Sequence, residues 1–207
     1  MFKLASHRQA RSRVKITVFS MTPGYHGVDS DFFRECETIG RENLLRWPGV
    51  PQAELEDDAR LIGALRECLG DDFDLYGEPG ESDQKKLENI IRTAIRFGES
   101  SREVETLGLS DPSALRFLAL PRLYSGCICP GELVRLRNEL NQAADQGEGN
   151  LLLVPHPDDP QPAHQAVTEA ALRALDPALK WHIWYYQSPW YRMSPYAIDA
   201  IVPLNDE

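Results

Sequence analysis

The sequence predicts an α/β sandwich built on a mostly parallel sheet. Strand-like and helix-like segments alternate through most of the chain. Asn150 to Val154 (NLLLV) is an unbroken apolar run, the pattern of a strand buried on both faces. Loops at 21–28 and 155–164 follow such strands, and ligand sites in these folds lie beyond the carboxyl ends of strands.

Val14 to Ser20 (VKITVFS) is β-rich and apolar at alternate positions, so it reads as the first strand. Pro23, Gly24 and Gly27 mark the loop after it. Acidic, mixed sequence follows. Glu54 to Leu69 carries Leu55, Ala59, Ile62 and Leu69 at helical spacing and stops at Gly70. Asp71 to Ser82 reads as a loop, and 48–82 as a whole as an acidic insertion. Gln84 to Leu107 is the clearest helix. Leu87, Ile90, Ile91, Ala94, Ile95 and Gly98 form one apolar stripe, with Gly108 as its C-cap. Ala114 to Leu120 is a strand and Glu132 to Ala144 a helix. After the 155–164 loop, Val167, Ala170, Ala171 and Ala174 define a helix stripe. Trp181 to Tyr186 and Ala197 to Val202 are the last strands, with Trp184 assigned to the core and Trp190 left open between core and ligand stacking.

A chain of 207 residues with 42% hydrophobic and 26% charged residues has enough apolar material for a core, so disorder as the main state is excluded. One domain over 1–207 is expected. The net charge of −10 argues against nucleic acid and anionic membranes as partners, because both need a basic face. No apolar run approaches the roughly 18 residues of a membrane span. The first 15 residues are basic but lack an apolar stretch, so they do not read as a signal peptide. A cytoplasmic location with Cys36, Cys68, Cys127 and Cys129 reduced is the matching expectation.

The loop Pro155-His156-Pro157-Asp158-Asp159-Pro160-Gln161-Pro162-Ala163-His164 is the only dense cluster of ligand-type side chains. His and Asp suit zinc or a similar divalent ion. His164 falls in the first turn of the next helix, whose positive end disfavours imidazolium and favours the neutral, metal-binding ring. The competing reading is a Pro- and Asp-rich turn in which Asp159 or a neighbour caps that helix.

Five motifs in order resemble the PIG-L/LmbE family of zinc-dependent de-N-acetylases. Thr22-Pro23-Gly24 matches T-x-G, and Arg96-Phe97-Gly98-Glu99 matches R-x-x-E, with Leu107-Gly108 following it. Leu118-Ala119-Leu120-Pro121 matches L-x-L-P, and Asp159-Pro160-Gln161-Pro162-Ala163-His164 matches the late D-P-H-x-x-H. The tail from Trp184 to Leu204 looks most like the deacetylase-like domain attached to some glucosamine-6-phosphate deaminases. The resemblance implies a three-layer, Rossmann-like sandwich and zinc held in part by His164. It implies Arg96 and Gln161 as substrate-binding residues, with Thr22, Gly24, Glu99 and Asp159 in support.

The chain also departs from that pattern. The family's first strand and its HPDDE motif should precede Phe2 and are absent, so the domain reads as incomplete at its N-terminus, with its first strand missing. Gln161 stands where the family has a histidine. One of three family metal ligands, His164, is retained, with His156 and Asp159 as further candidates from the same loop. A catalytic zinc normally takes three protein ligands. Two functions therefore stand side by side. One is a metal-dependent hydrolase of the de-N-acetylase type, acting on an N-acetylated amino sugar or similar small molecule. The other is an inactive family member serving as a binding or regulatory module. An incomplete sheet also invites self-association into a homo-oligomer.

Overall fold

The computed structural model describes residues 15–47, 50, 57–109, 111–145 and 149–187. The fold is mixed α/β, with short parallel strands in two small sheets. The backbone divides into two compact units, one of Pro23–Glu103 and one of Met1–Thr22 with Val104–Glu207.

The unit Pro23–Glu103 is helical. Helix α1 (Ser30–Leu44) starts at Asp29, whose carboxylate accepts the N–H groups of Asp31 and Phe32, a side-chain N-cap. Helix α2 (Asp58–Leu69) starts the same way at Asp57. The acidic stretch after it is not a loop: Gly70–Tyr76 winds into a 3₁₀ helix because Phe73 and Tyr76 bury their rings. Residues 58–76 therefore build core, with Leu61, Leu65, Phe73 and Tyr76 packed among Leu44, Leu87, Ile90 and Ile91. The expected long helix is α3 (Asp83–Thr106), its stripe from Leu87 to Gly98 buried. Gly40 of α1 sits where a Cβ would lie 2.7 Å from Ile91 Cγ2 and 2.8 Å from Ile95 Cγ1, so only glycine allows this approach to α3.

Gly108 ends α3 as expected. At φ +73° it donates to the Glu105 carbonyl while Leu109 donates to Val104, a Schellman arrangement.

In the second unit, strand β1 (Val18–Ser20) is shorter than the sequence suggested, because its only ladder is the three-residue one with β2 (Leu115–Phe117). β2 is shortened too, since Pro112–Ala114 forms a 3₁₀ turn capped by Asp111. The short helix α4 (Pro121–Tyr124) and helix α5 (Pro130–Ala143) follow. Strand β3 (Asn150–Pro155) pairs in parallel with β4 (Trp181–Tyr186), and α6 (Pro162–Ala174) crosses between them. Both strand pairs feed one core, in which Phe19, Met21, Leu118 and Leu152 meet Leu136, Leu140, Ala166 and Ala170.

Two expectations are corrected. β3 is not buried on both faces, as Leu151 is 50% exposed. Trp184 is 52% exposed rather than core; among the described residues β4 pairs with β3 alone. The predicted strand Ala197–Val202 and Trp190 lie outside the described residues. No helix among the described residues is long and apolar enough to cross a membrane.

Candidate functional site

The carboxyl ends of β3 and β4 carry the polar cluster. β3 ends in Pro155, which pairs with Tyr186 at the end of β4. The ladder continues one step further, where the His156 N–H donates to the Tyr186 carbonyl at 3.1 Å. The chain then turns, and the Asp159 N–H donates to the His156 carbonyl. That turn brings the Asp159 side chain inward, where it has 0% exposure.

A fully buried carboxylate must be hydrogen-bonded to be tolerated. Asp159 is bonded through both oxygens: Oδ1 accepts the Gln161 N–H at 2.9 Å, and Oδ2 accepts His164 Nδ1 at 2.9 Å. Its carbonyl also accepts the Gln165 side-chain amide at 2.8 Å. Asp159 lies just before the N-terminus of α6, whose dipole favours an anion there. The capping expectation and the ligand expectation thus meet in one residue. Asp159 takes the N–H of Gln161, which precedes the helix, and fixes the imidazole of His164 in its first turn.

Tyr186 lies within the reach of that carboxylate. Partial burial of its phenol and the negative charge of Asp159 push its pKa above the ordinary tyrosine value. Its neighbour Tyr185 meets the His156 ring edge-on, with centroids 5.7 Å apart. His156 Nδ1 accepts the Asp158 N–H at 3.1 Å, which ties that ring into its own loop.

Both Asp159 oxygens and His164 Nδ1 are engaged with each other or with backbone, and His156 Nδ1 accepts the Asp158 N–H. Among the described residues no group of three His, Cys, Asp or Glu side chains converges to hold a metal ion. The structure brings together Asp159, Gln161 and His164. His156 shares their loop, with its ring turned to Tyr185.

No family model, curated protein or solved structure matches this chain.

The remaining sequence candidates lie elsewhere. Thr22, in the same unit as His164, is half-buried at the end of the β1 segment. Gly24, Arg96 and Glu99 belong to the helical unit. Arg96 pairs with Glu99 one turn on along α3, and a Cβ added at Gly24 would lie 3.5 Å from its Cγ. That pairing is the ordinary helix-surface ion pair, and Arg96 keeps 43% side-chain exposure. The same unit holds a cavity of about 380 Å³ lined by His26, Glu78, Glu81, Lys85, Asn89 and Arg92. Burial lowers the His26 pKa against the opposing pull of Glu78 and Glu81.

Sequence reading weighed Tyr186 only as one of the aromatic residues of 181–191, which either stack on a sugar or pack a core.

Proposed function

We propose that this chain is a PIG-L/LmbE-like domain that binds a small N-acylated polar molecule, an amino sugar or similar, beside Asp159 and His164. Gln161 stands in it where that family has a histidine. The observation that carries this reading is the buried pair itself. A carboxylate with no exposed surface holds an imidazole at 2.9 Å in the first turn of the helix after a parallel strand. Nothing in core packing calls for that pair, since two apolar residues would fill the same space without desolvating a charge. Fixing Nδ1 directs the action of the ring through Nε2. Gln161, the residue before the helix, adds an amide that can donate to an acyl carbonyl but cannot transfer a proton. We read the two parallel strand pairs as the flanks of one three-layer, Rossmann-like sheet.

An active zinc amidohydrolase is the second reading, and one observation favours it. A carboxylate on Nδ1 is the arrangement that orients metal-binding histidines through their other nitrogen. That reading needs further ligands from beyond the described residues.

The test is zinc analysis of the purified chain, run beside calorimetric titration with N-acetylglucosamine. Both are repeated on His164→Ala. The binding reading expects saturable N-acetylglucosamine binding that weakens at least about tenfold in the variant, and no stoichiometric zinc. About one zinc per chain, lost in His164→Ala and accompanied by acetate release, would install the hydrolase reading instead. Wild-type protein that neither binds the sugar nor holds zinc would sink both.

A further inference from the structure

We infer that the cavity of the helical unit is a binding site for a small zwitterion, an α-amino acid or a similar aminocarboxylate. The cavity lies wholly within Pro23–Glu103, and the inference stands apart from the reading of Asp159 and His164.

The first observation is a preformed space. The cavity of about 380 Å³ falls within the range of small-molecule sites. Its walls are tied to one another. Asn89 Nδ2 donates to the Tyr76 carbonyl at 2.7 Å, and Arg92 Nη1 donates to the Val28 carbonyl, so α3 is fastened to both neighbouring segments. The turn between Glu78 and Glu81 is closed twice. The Glu81 N–H donates to the Glu78 carbonyl at 3.0 Å, and the Glu78 N–H donates to Glu81 Oε2 at 2.9 Å. The second observation is polarity at depth. Lys85, Asn89 and Arg92 stand at i, i+4 and i+7, so one polar face of α3 borders the cavity while Leu87, Ile90 and Ile91 pack the core. Asn89 and Arg92 are each only 7% exposed. The third is opposite charge that does not cancel. Lys85 and Arg92 both turn to the single carboxylate of Glu88, Lys85 at 3.0 Å, which leaves that side with an excess of positive charge. Among the described residues neither cation forms an ion pair with Glu78 or Glu81 on the turn. Asp29, also at the cavity, has Oδ1 committed to the cap of α1. A ligand with one sign of charge would meet like charges on one side. A ligand with an ammonium and a carboxylate meets a complement on each. Tyr25 and Val28, both buried, supply an apolar wall for the body of that ligand. The His26 ring packs against Tyr25 with centroids 4.2 Å apart, and burial keeps it neutral at physiological pH, so it adds no charge of its own.

The experiment is calorimetric titration of the full chain with the twenty common L-amino acids in turn. It is repeated with two analogues of the tightest binder, its amide, which keeps only the ammonium, and its 2-hydroxy acid, which keeps only the carboxylate. At least one amino acid is expected to bind with a Kd below about 1 mM, and each analogue at least about tenfold more weakly, because each lacks one charge-assisted contact. Glu78→Gln and Lys85→Gln are each expected to weaken the amino acid about tenfold or more at unchanged melting temperature. Lys85→Gln should bind the amide as wild type does, because the amide has no carboxylate for Lys85 to meet. His164→Ala, in the other unit, should bind the amino acid as wild type does. Failure of every amino acid to bind would overturn the inference. So would an analogue that binds as tightly as its parent, or full affinity in both Glu78→Gln and Lys85→Gln. A loss of amino-acid binding in His164→Ala with none in the two cavity variants would move the ligand to the other unit and overturn it as well. If one cavity variant melts early, the other and the two analogues decide. None of these outcomes bears on N-acetylglucosamine binding beside Asp159.

Discussion

The two compact units handle charge in opposite ways. In Pro23–Glu103 the ionic groups sit on helix surfaces and bind one another: Arg41 with Glu37 and Asp58, Arg66 with Asp83, Lys86 with Asp74, Arg92 with Glu88. Beneath them lies a core of large apolar side chains, including Phe73, Leu61, Leu65, Ile90 and Ile91. Arg41–Asp58 and Arg66–Asp83 fasten helix to helix and Lys86–Asp74 joins α3 to the 3₁₀ helix, whereas Arg41–Glu37 and Arg92–Glu88 lie within one helix; the exposed pairs are individually weak because water still reaches them. In the other unit the α6 face is built from Ala166, Ala170, Ala171 and Ala174, small residues that let the helix lie close to its neighbours. Asp159, whose side chain has no exposed surface, faces an imidazole rather than a surface cation. The difference teaches where to look for function. Charges that can be explained by helix docking are explained by it, whereas a buried Asp–His pair at a strand end has no such explanation.

The largest expected effect tests the apolar side of that contrast. Phe73 has no exposed surface, with the Arg66 guanidinium stacked 4.5 Å from its ring centroid. Phe73→Ala leaves a cavity and is expected to cost about 3–5 kcal/mol in urea unfolding. N-acetylglucosamine affinity of the protein that stays folded should not change. A drop in affinity proportional to the drop in stability would break the separation between the fold-building and ligand-binding regions.

Asp159→Asn tests the other side, with a smaller effect on stability. Asparagine keeps the shape and can still accept the Gln161 N–H, but its amide group would face His164 Nδ1 as a second donor. A loss of about 1–3 kcal/mol is expected from the mismatched buried pair. Nitrogen NMR of the imidazole should show the tautomer of His164 changing, and sugar binding should weaken as in His164→Ala. An unchanged tautomer with unchanged binding would reduce Asp159 to a loop cap.

How much of this was legible in the sequence depended on what each signal measures. The α3 stripe was readable because a 24-residue helix repeats its apolar spacing many times. The Gly108 stop was readable because left-handed glycine is a local requirement. Helix α1 was read only as a helical stretch around Cys36, without bounds, although Asp29 supplied its cap. The 3₁₀ helix at Gly70–Tyr76 was taken for a loop because its reason is tertiary: Phe73 and Tyr76 are drawn into a core that local sequence does not display. At the site, the density of His and Asp in 155–164 pointed to the loop in which Asp159 and His164 meet. Spacing alone left open which residues meet, and it could not tell a ligand carboxylate from one that orients its neighbour. The exposure of Trp184 was misjudged for a related reason, because strand composition does not say whether the strand has one partner or two.

The smallest expected effect is the response of the helical unit to acid. Burial alone would raise the pKa of Asp58 and Glu88, but hydrogen bonds and nearby cations override it and lower both. For Asp58 these come from Gln84 and Arg41, for Glu88 from Arg92 and Lys85. A carboxylate with a lowered folded pKa contributes stability that is present above its unfolded value, about 4, and disappears as pH falls through the folded one. His26 works in the same direction nearer neutrality. Burial lowers its folded pKa, so the unfolded chain takes up the proton first and stability declines as pH falls through about 6.5. The opening free energy of amides in α1 and α3, taken from exchange rates corrected for their intrinsic pH dependence, should therefore fall in two stages on acidification, a slight one near pH 6.5 and a larger one below about pH 4. Glu88→Gln removes one of the groups responsible and should shrink only the second stage. Equal acid sensitivity in Glu88→Gln and wild type would mean that the surface ion pairs of this unit do not hold its helices together, and the contrast with the buried pair would then rest on packing alone.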